Sequence, residues 1–199
     1  MAVAVAAGQV AQIHQLALRS PVLSVVLQRW SDIALPDCWL VAGALAQTVW
    51  NNAFGLPPAH GIADVDIVYF DAGDLSEEGE AAQSARIRQL FAGSPVRIDV
   101  KNEARVHLWY GARFGGDIAP YTSTADAIST FPTTATAIGL QPTANEALIC
   151  APYGLADLLG LVVRPNKKQI TRSVYDAKVA RWLTLWPALE VISWDAELG

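Results

Sequence analysis

The chain has 199 residues, of which 52% are hydrophobic and 17% charged, and this composition fits one globular domain with a full core and excludes a disordered protein. No apolar run reaches the roughly 18 residues of a membrane-spanning helix, and the start of the chain lacks the basic region of a signal peptide. The net charge of -5 and the pI of about 5.1 argue against a broad nucleic-acid surface. We therefore expect a cytoplasmic protein with no membrane segment and no strong nucleic-acid footprint. Cys38 and Cys150 lack metal-ligand spacing, which favours reduced thiols.

The first part of the chain predicts helices followed by a strand-turn-helix unit. Apolar residues recur with a 3.6-residue period between residues 10 and 30, interrupted at Ser20-Pro21, so we expect two helices or one broken helix. An apolar run over residues 38–42 predicts a strand that ends at Gly43, and residues 44–50 predict the helix that follows.

The next strand carries two carboxylates, Asp64 and Asp66, inside an apolar, β-branched run. Side chains alternate between the faces of a strand, so both carboxylates project from one side while Val65 and Ile67 pack on the other. Burying two anions is unfavourable unless their charge is compensated. The pair therefore predicts a site for a hard divalent cation such as Mg²⁺, which prefers oxygen ligands.

The remaining elements alternate between helices and strands. We predict a helix at residues 77–91, a strand at 96–100, helices at 103–114 and 124–129, a strand pair at 134–140 and 147–151, and helices at 154–163 and 173–186. These elements predict a single domain over residues 1–199, in the mixed α/β (α+β) class. It has a small mixed β-sheet core at about 22–150, flanked by helices, and a helical part at about 151–199.

The strand at residues 96–100 contains a third carboxylate, Asp99, on the same face as Arg97 and Lys101. If the two strands are neighbours, Asp99 lies beside Asp64 and Asp66, and three clustered carboxylates hardly ionise together unless cations bind among them. The alternative is that Asp99 pairs with Arg97 or Lys101 at the edge of the sheet.

Three features together resemble the signature of the DNA polymerase β-like nucleotidyltransferase superfamily. They are Gly43-Ala44 at the start of a helix, Asp64-Val65-Asp66 on a strand and Asp99 on a later strand. Longer runs at residues 60–66, 101–110 and 151–155 are more narrowly similar to a bacterial group of nucleotidyltransferase family proteins, formerly a domain of unknown function. The likeness extends from about residue 22 to about residue 190.

The resemblance implies a nucleotidyltransferase core and two-metal transfer of a nucleoside monophosphate from an NTP to an unidentified hydroxyl, with release of pyrophosphate. Asp64, Asp66 and Asp99 would be the catalytic residues and would bind two ions, Mg²⁺ or Mn²⁺. Asp99 would also help to deprotonate the acceptor. The backbone at Gly43 and Ala44, at a helix N-terminus, would bind phosphate.

Three basic side chains after Asp99 are further candidates for nucleotide binding. Lys101 either reaches a phosphate or pairs with a site aspartate. Arg105 would offer bidentate phosphate contacts, whereas His107 either contacts the substrate or is a core histidine bonded to backbone. If residues 103–114 are helical, Arg105 and His107 face different directions.

Two features depart from the superfamily pattern. Ala44 stands where serine or glycine is common, and the step from Gly43 to Asp64 is longer than usual because of the loop at residues 51–61. The three carboxylates favour an active enzyme, and Ala44 favours the alternative, a catalytically inactive module that binds nucleotides or proteins. The sequence carries no signal for the oligomeric state.

The chain contains seven tryptophans, and core packing is the expected role of most of them. Trp182 and Trp186 lie four residues apart on a predicted helix and indicate a core stripe. Trp109 and Tyr110, close after the Asp99 strand, are the candidates for an aromatic platform that holds a base.

Overall fold

A computed structural model describes residues 5–196 of the protein. Residues 1–4 and 197–199 lie outside this range, so the expectation that the start of the chain is not a signal peptide falls partly outside the described residues. The helices are α1 (Ala7–Arg19), α2 (Leu23–Leu27), α3 (Trp30–Ile33), α4 (Gly43–Ala53), α5 (Glu77–Leu90), α6 (Val106–Phe114), α7 (Thr124–Ile128), α8 (Ala156–Leu159) and α9 (Arg172–Leu185). The strands are β1 (Trp39–Val41), β2 (Asp64–Tyr69), β3 (Arg97–Asn102), β4 (Gly139–Pro142), β5 (Ala147–Cys150), β6 (Val162–Val163) and β7 (Glu190–Val191). Single 3-10 turns form at Glu103–Arg105 and Thr134–Thr136.

The central sheet has the strand order β3-β2-β1-β4-β5. Strands β2 and β3 are parallel, and the other neighbouring pairs of this sheet are antiparallel. Helix α5 makes the crossover between β2 and β3, as a parallel connection requires. This mixed sheet flanked by helices confirms the predicted fold class.

Strands β2 and β3 present two chemically different faces. On one face, Val65, Ile67, Ile98 and Val100 are each at most 3% exposed and belong to the main core, to which α1, α2, α4 and α5 contribute. The opposite face carries the three aspartates. Its apolar part packs into a smaller cluster formed by Val41, Val68, Ile128 and Ala137. The alternation of side chains along the two strands therefore separates the core from the candidate site.

The predicted helices at residues 77–91 and 173–186 are confirmed as α5 and α9, and the predicted core roles of Trp182 and Trp186 are confirmed by exposures of 3% and 0%. Helices α1 and α2 confirm the two helices expected over residues 10–30, and the short helix α3 begins at Trp30. The strand pair is present as β4 and β5, although β4 begins only at Gly139 because Thr133 caps a 3-10 turn ahead of it.

The predicted helix at residues 154–163 is wrong in its second half. Helix α8 ends at Leu159, Leu161 has a φ of 61°, and Val162–Val163 forms strand β6, which pairs in parallel with β7. Gly160 caps the helix, and two successive β-branched valines then favour an extended strand. The part predicted as helical at 151–199 therefore contains a small second sheet.

Within residues 5–196, no helix is both long enough and apolar enough to cross a membrane. Cys38 and Cys150 are both free, as predicted, and burial raises the pKa of the Cys38 thiol to about 12.

Candidate active site

The parallel register of β2 and β3 brings the three predicted carboxylates to one face of the sheet. Asp66 lies directly beside Asp99, and Asp64 lies beside Arg97. The guanidinium of Arg97 bridges two of the acids, since its Nη2 donates to Asp64 Oδ2 at 3.1 Å and to Asp99 Oδ2 at 3.3 Å. The expected ion pair of Asp99 at the sheet edge and its expected grouping with Asp64 and Asp66 are therefore both present.

Asp66 is the most perturbed of the three acids. Burial, followed by the negative charges of Asp64 and Asp99, raises the pKa of the Asp66 carboxyl to about 6. The ammonium groups of Lys178 and Lys101 act in the opposite direction. A carboxylate in this environment gains stability from any additional positive charge that approaches it.

The donor set of this cluster suits a hard divalent cation, because all three side chains offer carboxylate oxygens. Their present arrangement is centred on arginine instead. Arg97 holds Asp64 and Asp99, and Arg88 of α5 lies 3.8 Å from the other oxygen of Asp99. Across the described part of the chain, no three acidic, histidine or cysteine side chains are gathered around one point as ligands. Coordination of one ion by all three aspartates would therefore require Arg97 to move, which its exposed side chain permits.

The N-terminus of α4 lies next to the carboxylates, because Val41, two residues before Gly43, pairs with Asp66. No side chain caps this helix end. Its first backbone N–H groups therefore provide the positive end of the helix dipole beside the acids. A Cβ at Gly43 would meet only Gln47 Nε2, at 3.4 Å, so the space over this residue is open.

The strained residue of this turn is Ala42 and not Gly43. Ala42 has φ 60° and ψ -128°, a conformation that residues with a Cβ rarely adopt, whereas Gly43 does not have a positive φ. Ala44 as a whole is 2% exposed and packs in the main core. A serine hydroxyl at this position would be buried as well, so its absence does not argue against phosphate binding.

A cavity of about 430 Å³ opens on the same side of the sheet as the carboxylates. Lys101 of β3 and Lys178 of α9 line it, and these are the two lysines whose charge acts on Asp66. Five aromatic residues also line it: Trp109, Tyr110, Phe114, Tyr121 and Phe131. The volume is within the range of about 300–1,000 Å³ that small-molecule sites occupy.

Lys178 was not among the residues predicted from the sequence. It is half-buried, and burial together with Arg181 lowers the pKa of its ammonium group, while Asp66 and Asp64 partly oppose this shift. Its position four residues after Val174, which also lines the cavity, places both on one face of α9. That spacing is a weak signal, because it does not indicate what the helix packs against.

Glu103 is the second residue that sequence reasoning missed. It is 6% exposed and lines the cavity. Burial, with smaller effects from Glu80 and Asp66, raises the pKa of the Glu103 carboxyl to about 8, although Lys101 opposes the shift. Burial therefore favours the protonated, neutral form of this group.

A family model described as nucleotidyltransferase matches residues 28–191 of the chain. The protein belongs to this nucleotidyltransferase family. A solved NMR structure described as revealing a CCA-adding enzyme head domain is similar to it, with a TM-score of 0.75 and 26% sequence identity over 92% of this chain and 95% of that chain. No curated protein matches the sequence. The fold and the family support transferase activity, with nucleotidyl transfer as its general reaction.

In this nucleotidyltransferase, two of the predicted binding residues have other surroundings than the carboxylates. Arg105 forms an ion pair with Glu80 of α5 at 3.1 Å and donates to the carbonyl of Leu75 at 2.9 Å, and its side chain is only 9% exposed. His107 does not line the cavity, and its buried Nδ1 has no hydrogen-bond partner among the described residues. Lys101 is the predicted basic residue that the structure does bring to the site.

Proposed function

We propose that the protein is a metal-dependent nucleotidyltransferase that moves a nucleoside monophosphate from an NTP to a hydroxyl acceptor, with release of pyrophosphate. One observation carries this proposal: Asp64, Asp66 and Asp99 lie on one face of two adjacent parallel strands, with Asp66 and Asp99 in register. A sheet that served only as a scaffold would gain nothing from placing three mutually repelling acids on one face.

In the proposed reaction, the acceptor hydroxyl attacks the α-phosphorus of the NTP. The bond to the oxygen that bridges the α- and β-phosphates breaks, and pyrophosphate leaves with that electron pair. Asp99 accepts the proton of the hydroxyl. The free amides at the start of α4 bind phosphate oxygens, and Lys101 and Lys178 offset the negative charge of the nucleotide on the other side of Asp66.

The three aspartates would hold the divalent ions, either Mg²⁺ or Mn²⁺. When bound, such ions stabilise negative charge on the attacking and leaving oxygens. The present contacts of Arg97 fit this role, because a guanidinium that bridges Asp64 and Asp99 neutralises the acids until an ion replaces it. The description of the similar NMR structure as a CCA-adding enzyme head domain supports nucleotidyl transfer as the reaction class.

The first test is the thermal stability of the protein with Mg²⁺, with an NTP and with both together. We expect the combination to raise the melting temperature more than the sum of the separate ligands. Asp64→Ala and Asp66→Ala should abolish that increment, whereas Glu78→Ala, which removes an exposed carboxylate of α5, should keep it. An unchanged increment in both site variants would contradict the proposal.

The second test addresses catalysis itself. Labelled NTPs incubated with the protein and a cell extract should transfer label to an acceptor in the presence of Mg²⁺ or Mn²⁺, and Asp99→Asn should prevent the transfer. If no nucleotide gives transfer while Mg²⁺-dependent NTP binding persists, the protein is the alternative, an inactive nucleotide-binding module.

A further inference from the structure

The aromatic cavity beside the carboxylates has the properties of a site for a flat ring. Five aromatic side chains line it, and two of them are fixed at their polar ends. Tyr110 Oη donates to the carbonyl of Gln169 at 3.0 Å, and Tyr121 Oη donates to Gln169 Oε1, also at 3.0 Å. Because these hydroxyls are held in place, the rings face the cavity in a defined arrangement, and little order is lost when a ligand enters.

Glu103 is the one acidic side chain among the residues that line this cavity. It is only 6% exposed. A carboxyl group in such a position is stabilised when a ligand or water hydrogen-bonds to it. A neutral carboxyl group presents one donor and one acceptor side by side. Such a pair matches a ligand edge on which a donor and an acceptor are adjacent.

The two lysines connect the cavity to the carboxylates. Lys101 and Lys178 both line the cavity, and both act on the charge of Asp66. A ligand that reaches from the cavity towards the aspartates therefore has both ammonium groups near it. This sequence of environments, from aromatic walls through positive charge to a cation site, corresponds to a molecule with a flat ring at one end and phosphate at the other.

We propose that this cavity binds the base of the nucleotide substrate, with its faces against the aromatic walls and its hydrogen-bonding edge against Glu103. The proposal rests on the proposed function, which supplies the NTP. It adds the place of the base and the residue that contacts its edge. Base stacking on aromatic side chains contributes about 1–3 kcal/mol per base, so the walls supply affinity, and the carboxyl group orients the ring.

The experiment measures two parts of the substrate separately, by calorimetric titration. Adenosine, guanosine, cytidine and uridine, without metal, probe the cavity, and inorganic tripolyphosphate with Mg²⁺ probes the aspartates. We expect at least one nucleoside to bind the wild-type protein. Glu103→Leu and Trp109→Leu should weaken that binding at least about 10-fold, whereas Glu103→Gln, whose amide keeps a donor beside an acceptor, should retain it within about 3-fold.

Two controls separate a loss of the site from a loss of the fold. Trp194→Leu removes a partly buried tryptophan that does not line the cavity, and Glu78→Gln changes an exposed glutamate in the same way as Glu103→Gln. Neither should change nucleoside binding. Every cavity variant should still bind Mg²⁺-tripolyphosphate, which shows in the same protein sample that it is folded.

The two probes also distinguish the failure of this inference from the failure of the proposed function. The base site would be overturned if the wild type binds no nucleoside, or if binding is unchanged in both Glu103→Leu and Trp109→Leu. The cavity would then be assigned to the acceptor substrate. Nucleoside binding that depends on these residues, in a protein that does not bind Mg²⁺-tripolyphosphate, would support the cavity and contradict the metal-dependent reaction.

Discussion

The two faces of strands β2 and β3 are built from alternate residues of the same short segments, yet they have different roles. On one face, Val65, Ile67 and their neighbours on β3 are buried in the main core. On the other, Asp64, Asp66 and Asp99 are partly exposed, and the charges of Asp64 and Asp99 raise the pKa of Asp66. The comparison shows that neighbouring residues of one strand can have different roles, one in the stability of the core and the next in the chemistry of the site. This is possible because successive side chains of a strand point to opposite faces. Substitutions on the two faces should therefore have opposite consequences.

The largest expected effect is on catalysis, from the acidic face. Asp66→Asn should reduce label transfer by on the order of 10³-fold or more, because it removes a charge at the reacting phosphate. The melting temperature should stay constant or rise, since a desolvated and repelled carboxylate is replaced by a neutral amide. A variant that loses activity and melts at a much lower temperature would show that the acid has a structural role.

The apolar face should give the opposite result. Ile67→Ala, at a position that is 0% exposed, should reduce the free energy of unfolding by about 2–5 kcal/mol through lost burial and a residual cavity. Its folded fraction should bind Mg²⁺ and NTP as the wild type does. Leu148→Ala, at a position that is 52% exposed, is the matched control and should change stability little. Denaturant titration measures both variants.

Glu103 extends the comparison of the two faces to a buried acid near the acidic one, and the pH dependence of stability tests it. The folded-state pKa of about 8 lies above the ordinary 4.5, so the folded protein retains a proton that the unfolded chain releases. Stability associated with this group is therefore present below about pH 4.5 and is lost as pH rises toward 8. Glu103→Gln lacks this titration. Its stability relative to the wild type should increase from pH 5 to pH 8, by about 1–3 kcal/mol, as measured by urea denaturation at each pH. A constant difference across this range would contradict the buried neutral acid.

The smallest expected effect concerns Arg97, the cation already bound to the acidic face. Arg97→Ala should change the melting temperature little, because the side chain is exposed and its ion pairs are screened by water. Mg²⁺ should bind several-fold more tightly, since the ion no longer competes with the guanidinium for Asp64 and Asp99. Isothermal titration with Mg²⁺ measures this, and Arg29→Ala, which breaks another exposed pair, should have no such effect. Weaker binding in Arg97→Ala would indicate that the arginine helps to hold the site together.

The sequence predicts the acidic face well because its determinants are local. Alternation within β2 places Asp64 and Asp66 together, and Asp99 follows on the next strand of the core. The cavity could not be predicted in the same way. Lys178 reaches it from α9, far along the chain, and the burial of Glu103 depends on how several elements pack around a single 3-10 turn. The wrong assignment at residues 160–163 has a similar origin. The pairing of β6 with β7 lies outside any window in which periodicity is assessed.

Ala42 gives the N-terminal end of α4 a property that a relaxed turn would lack. Its N–H donates to the carbonyl of Ile138 and its carbonyl accepts from Ala46, so the residue is held from the sheet on one side and from the helix on the other. Rotation to a lower-energy backbone conformation would break one of these bonds and tilt the helix away from Asp66. The direction of the amides is thus fixed before any ligand arrives. Ala42→Gly would remove the strain and would also loosen that alignment. The unfavourable backbone conformation of Ala42 therefore fixes the direction of the helix.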